Sequence, residues 1–187
     1  CLQEGPGPAL DPGRCLGLTG CRETQFSLIG RHRGRVVNAP GDALLAEFAS
    51  VIDAVQCAVE IQKELAGRND QLPEHRRMEF RIGVHLGDVL VKDGGIYGDG
   101  VNISARLEGL ADAGGVCVSR AVFEQVRKKL ECPIDFLGEY WVKNIADPVD
   151  VYKIRLFPED RARRRRRLAL SAWHGAAIGI AAVLLLE

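Results

Sequence analysis

Between Met78 and Leu86 the apolar residues Met78, Phe80, Ile82, Val84 and Leu86 alternate with Glu79, Arg81, Gly83 and His85. This period of two predicts a strand with one buried face. Leu86-Gly87-Asp88 reads as a turn into a second strand, Val89-Leu90-Val91, and so as a β-hairpin. A glycine-rich loop, Asp93 to Gly100, follows. From Val101 the period turns helical, with Val101, Ala105, Leu107 and Leu110 among Asn102, Arg106 and Glu108, until Ala113-Gly114-Gly115 ends the run. Upstream, Val36-Val37 and Leu44 to Phe48 read as two strands joined by a turn over Asn38-Ala39-Pro40-Gly41-Asp42. Ser50 opens a capping-box-like start, and Val51, Val55, Ala58, Val59 and Leu65 form the stripe of a helix that packs on the sheet. Phe26 to His32 reads as the end of a helix. Downstream come a short strand at Val116-Cys117-Val118, a helix from Ser119 through Leu130, and strands around 136–142 and 149–155. Cys1 to Gly20 is rich in Gly and Pro, has no sustained period, and reads as irregular, without the apolar core of a secretory signal.

The pattern changes at the C-terminal end. Six arginines crowd Arg161 to Arg167, and the 19 residues from Leu168 to Leu186 are almost wholly apolar. About 20 such residues span the hydrocarbon core of a bilayer. The expectation is a single-pass transmembrane helix over 168–186, preceded by a basic juxtamembrane linker over 156–167. The positive-inside rule then places the folded domain in the cytoplasm. An arginine run can also bind nucleic acid or anionic lipid, but its position beside the apolar run favours the membrane.

Composition narrows the remaining choices. The 187 residues suffice for one domain and a tail, with ordinary apolar and charged fractions. Basic and acidic residues balance at 25 each, but without the arginine block and Glu187, 19 basic residues face 24 acidic ones. The globular part is mildly acidic, which argues against a nucleic-acid partner. The six cysteines form no C-x-x-C pair, and Cys57 and Cys117 fall in apolar runs as buried reduced thiols would.

Candidate chemistry gathers on the predicted helix after the glycine-rich loop. Asn102 and Arg106 are four residues apart and share one face, beside glycines that let a ligand approach the backbone. An amide and a guanidinium there suit a sugar and a phosphate. The same spacing also describes an ordinary solvated helix face.

The run IYGDGVNISARLEGLADAGGVCVSRAVFEQV, with GRVVNAPGDALLAEF before it and LGEYWVKNIADPVDVYKI after it, closely resembles the catalytic domain of the class III adenylate and guanylate cyclases, in particular a bacterial branch. The resemblance covers about Phe26 to Ile154, so the expected organisation is an irregular segment over 1–25, a cyclase-like domain over 26–155, the basic linker and the membrane helix. It implies an α+β fold, a ferredoxin-like antiparallel sheet with helices on one face. It implies catalytic roles for Asn102, which orients the ribose, and Arg106, which stabilises transition-state charge. It places a metal-binding carboxylate at Asp42 and a phosphate-binding lysine at Lys143. Cyclases that prefer ATP commonly carry Lys and Asp at two base-reading positions that align with Asn38 and Gly95, so the choice between ATP and GTP is not legible. Two Mg²⁺ or Mn²⁺ ions and a head-to-tail homodimer are also implied. The family's first strand, with a second metal-binding Asp, finds no match; Asp11 lies in a turn-like context between Leu10 and Pro12. The expected reaction is cyclisation of a nucleoside triphosphate with release of pyrophosphate, impaired in this chain. The alternative is a catalytically silent, membrane-tethered dimerisation or nucleotide-sensing module.

Overall fold

The structure is a computed structural model that describes residues 18–92, 95–142, 145, 147–157 and 178–184, the last stretch as backbone. Helix α1 (Leu18–Arg31) leads into the antiparallel pair β1 (Gly34–Asn38) and β2 (Leu44–Phe48). Helix α2 (Val51–Asp70) and a short 3₁₀ turn (Glu74–Arg76) precede β3 (Phe80–Leu86). Then come the two-stranded ribbon β4 (Leu90–Lys92) and β5 (Gly95–Tyr97), α3 (Asp99–Leu110), β6 (Val116–Ser119), α4 (Arg120–Val126), β7 (Ile134–Tyr140), β8 (Val149–Ile154) and β9 (Ile178–Leu184). The main sheet has the order β1-β2-β9-β3-β6-β8-β7.

Its two faces are covered differently. Phe80, Ile82 and Val84 of β3 and Val116 and Val118 of β6 join Cys21, Leu28 and Ile29 of α1, the stripe of α2, and Val122 and Val126 of α4 in the main core. Successive strand residues point to opposite faces, so Cys117, between Val116 and Val118, belongs to a second cluster with Ile103, Leu107 and Ala111 at α3 and Val151 of β8. The helices therefore lie on both faces, α3 alone opposite α1, α2 and α4; the one-sided arrangement expected from sequence is corrected. Gly83 is what lets α3 lie flat: a methyl there would sit 2.2 Å from the Ser104 carbonyl oxygen and 2.4 Å from the Glu108 nitrogen.

Local chemistry explains the helix positions. Ser50 caps α2 by accepting from the Asp53 N–H, and Asp53 places a negative charge in the positive first turn. The buried Gln62 amide donates to the Phe80 and Gly115 carbonyls at 3.0 and 2.8 Å, tying α2 to the sheet where β3 and β6 begin. Helix α1 starts at Leu18, so the irregular segment expected through residue 25 is helical over its last third. Cys21, Gln25, Leu28 and Ile29 are buried and recur at helical spacing. The four described cysteines are free, and burial pushes the Cys57 and Cys117 thiols up to about 12.

Three sheet features differ from expectation. Strand β4 pairs with β5 rather than β3, because both edges of β3 are taken, by β6 and β9. The sheet is mixed rather than antiparallel, since β9 runs parallel to β2 and β3, and β3 parallel to β6. Finally, Ile178–Leu184, expected inside a membrane-spanning helix, is a strand in register with Leu44–Phe48 on one side and Phe80–Leu86 on the other. A gap between β2 and β3 would leave two rows of unpaired backbone groups. A continuous apolar run such as IGIAAVL suits a strand covered on both faces. Residues 158–177, which hold the arginine block and the rest of the apolar run up to β9, lie outside the described residues, as does 185–187. Among the described residues no helix is long and apolar enough to cross a membrane.

Candidate functional site

The turn between β1 and β2 is built by its own sequence. Gly41 has φ +57°, a left-handed conformation that favours glycine, and the Ala43 N–H donates to the Pro40 carbonyl at 3.0 Å. Asn38 folds back so that its Oδ1 accepts from the Ala39 N–H at 2.9 Å. Asp42 stands exposed at the tip. From α1, Arg22 reaches across: its Nη2 donates to the carbonyls of Ala39, Gly41 and Ala43, all within 3.3 Å. Nothing in the periodicity of the chain marks Arg22, since the pairing exists only once α1 packs beside the turn.

Helix α3 begins after Gly98, whose φ of +130° excludes other residues without strain. The Gly98 carbonyl accepts from the N–H groups of Val101 and Asn102. Gly100, Ile103, Ser104 and Leu107 are buried against the sheet, which turns Asn102, Ala105 and Arg106 outward. Among the described residues neither Asn102 nor Arg106 makes a side-chain hydrogen bond or ion pair. Two residues on, burial raises the Glu108 carboxyl; the Arg81 guanidinium opposes that shift and the Asp42 charge adds to it. The Asp42 charge is therefore within electrostatic reach of Glu108 in the last turns of α3. Arg81 lies there too, and its Nε is buried without a partner.

A cleft of about 450 Å³ opens at the start of α3, lined by His85, Asp88, Val89, Leu90, Asp99 and neighbouring glycines. His85 Nδ1 lies 2.9 Å from the Ser119 hydroxyl, and burial pushes its pKa down to about 4.

The family model of the adenylate and guanylate cyclase catalytic domain matches residues 22–155. The chain belongs to this family. It is 43% identical over 150 residues to "Putative adenylate cyclase 3" of Rhizobium meliloti (strain 1021), covering 79% of this chain and 25% of that protein. The chain thus spans about a quarter of that relative's length. Among solved structures, an adenylate/guanylate cyclase/hydrolase from Silicibacter pomeroyi superposes with TM-score 0.69 at 31% identity, covering 79% of this chain and 90% of that one. Adenylate cyclase from Trypanosoma brucei, solved in a monomeric state, matches with TM-score 0.58 at 23% identity over 75% of this chain and 78% of that one, a likeness of fold.

Within the cyclase domain, Asn38 and Asp42 stand exposed on the β1–β2 turn, Asn102 and Arg106 stand exposed on α3, and the Asp42 charge reaches the Glu108 carboxyl two residues beyond Arg106. Lys143, expected at the substrate phosphates, lies outside the described residues. The fit to divalent ions is poor. Among the described residues no group of three or more His, Cys, Asp or Glu side chains could hold a metal. Asp42 is a single exposed carboxylate. Mg²⁺ and Mn²⁺ demand several oxygen ligands in defined geometry. These residues alone do not supply them.

Proposed function

We propose that this domain binds a nucleoside triphosphate, ATP or GTP, and belongs to the machinery that converts it to the 3′,5′-cyclic nucleotide and pyrophosphate. The observation that carries the reading is the α3 face: Asn102 and Arg106 are exposed and unpaired among the described residues, on a helix locked to the sheet through Gly83. A helix held this rigidly keeps its polar groups preorganised, which is the condition for stabilising developing charge. In this reading Asn102 orients the ribose, Arg106 meets the charge on the phosphates, Lys143 binds the phosphates and Asn38 faces the base. Asp42 is the carboxylate offered to the metal-bound nucleotide. The outward direction of Asn102 and Arg106 suits a site completed by a second copy, and a head-to-tail homodimer is part of the proposal.

Because one carboxylate does not build a two-ion site, the proposed activity of this chain by itself is low, and the role of Asp42 is kept to binding the nucleotide. The silent nucleotide-sensing module is the second reading, favoured by the same lone Asp42 and by Asn38 and Gly95 at the base-reading positions. Membrane tethering through 168–186, with the domain on the cytoplasmic side, is proposed from the arginine block and competes directly with strand β9 for residues 178–184.

The test uses the full chain with a fluorescent nucleotide analogue and with Mn²⁺ plus ATP or GTP. Nucleotide should bind, and cyclic product should stay close to background. In an intact gene product that turns over nucleotide, Arg106→Ala should lower turnover about 10²- to 10³-fold with little change in nucleotide affinity, because the lost contact strengthens in the transition state. Binding untouched by Asn102→Ala, Arg106→Ala and Asp42→Ala together would return this face to an ordinary solvated helix.

A further inference from the structure

The β1–β2 turn presents three carbonyl oxygens, of Ala39, Gly41 and Ala43, to one guanidinium nitrogen. Carbonyls gathered this closely repel one another unless a cation or several donors lie between them. Arg22 supplies that cation, on which all three carbonyls converge. Its backbone is fixed as well: the neighbouring Cys21 and, one turn on, Gln25 are buried, so α1 cannot shift without disturbing the core.

We infer that Arg22 is a positioning residue, which clamps the 38–43 turn and so aims Asp42 and Asn38 toward the nucleotide. The inference rests on the cyclase reading of Asp42 given above. Arg22 touches no reacting atom; it acts through the backbone of the turn. The contacts are charge-assisted bonds, stronger than neutral ones. A lysine at this position is a compact, strongly hydrated charge on a thinner stem, so it should hold the turn in part. A methionine keeps the apolar stem and removes the donors.

The experiment compares the full chain with its Arg22→Met, Arg22→Lys, Asp42→Asn and Arg22→Met/Asp42→Asn variants. The first readout is amide exchange by NMR at Ala39 and Ala43, whose N–H groups bond within the turn. Arg22→Met should speed exchange there by about ten- to a hundredfold, with partial recovery in Arg22→Lys and no change at core amides such as Val84. The second readout is affinity for MgATP. Arg22→Met and Asp42→Asn should each weaken it, and the double variant should be no weaker than Asp42→Asn alone, as expected for two residues acting through one element. Unchanged turn exchange in a folded Arg22→Met protein overturns the clamp. Additive losses overturn the claim that Arg22 works through Asp42. If Asp42→Asn leaves MgATP affinity intact, the cyclase reading of Asp42 fails, while fast turn exchange in Arg22→Met still upholds the clamp.

Discussion

Gly83→Ala is the most economical way to test whether α3 carries the site. The added methyl would lie 2.2 Å from the Ser104 carbonyl oxygen, 2.4 Å from the Glu108 nitrogen and 3.0 Å from the Leu107 carbonyl carbon. All three are backbone atoms of one helix, so no side chain can swing aside. Non-bonded heavy atoms settle at about 3.5–4.0 Å, and α3 must therefore retreat by about 1 Å. Overpacking of this kind costs about 1–3 kcal/mol. Arg106 and Asn102 ride on the same helix, and a displacement of about 1 Å can lower a reaction rate about 10²-fold. Urea unfolding gives the stability change, and nucleotide turnover or binding gives the change at the site. Gly67→Ala is the control: nothing lies within 4 Å of its added methyl, and it sits inside α2. It should gain about 0.4–1 kcal/mol and leave the site unchanged. A Gly83→Ala protein as stable as wild type, with unaltered nucleotide binding, would refute the close packing of α3 on β3 and the rigidity argument built on it.

Further outcomes follow from other parts of the molecule. His85 has a folded pKa pushed down to about 4, against an ordinary value near 6.5. Below pH 6.5 the unfolded chain takes up a proton that the folded chain refuses until about pH 4, so stability is full above 6.5 and falls through this window, by up to ~3 kcal/mol. The difference in urea midpoint between wild type and His85→Gln across pH 4–7 isolates this contribution from Asp88 and Asp99, which line the same cleft; a difference that stays flat would show that the ring is solvated. Ending the chain after Phe157 removes β9 and bares the edges of β2 and β3. It should broaden thermal unfolding and promote association, measured by calorimetry and light scattering. Reporter fusions after Ile154 and after Glu187 decide between strand and span: opposite-side signals would show that 178–184 crosses a membrane, and cytoplasmic signals at both sites would support the strand.

Much of this domain is local in origin and so was readable without coordinates. The period of two from Phe80 to Leu86, the turn residues Pro40-Gly41-Asp42, the Ser50 cap and the helical spacing around Asn102 and Arg106 each express a preference that neighbours in sequence enforce. The family motifs are likewise short contiguous runs, and they carry the family assignment. What sequence left open depends on partners distant along the chain. Pairing of β4 with β5 follows from β3 having both edges occupied. The placement of α3 alone on its face depends on Gly83 meeting residues more than 20 positions away. Arg22 gains a role only where α1 meets the β1–β2 turn. Strand β9 shows the limit most clearly. An apolar run has the same composition whether it enters lipid or fills a sheet, because both environments remove it from water, and only an unfilled place between β2 and β3 distinguishes them.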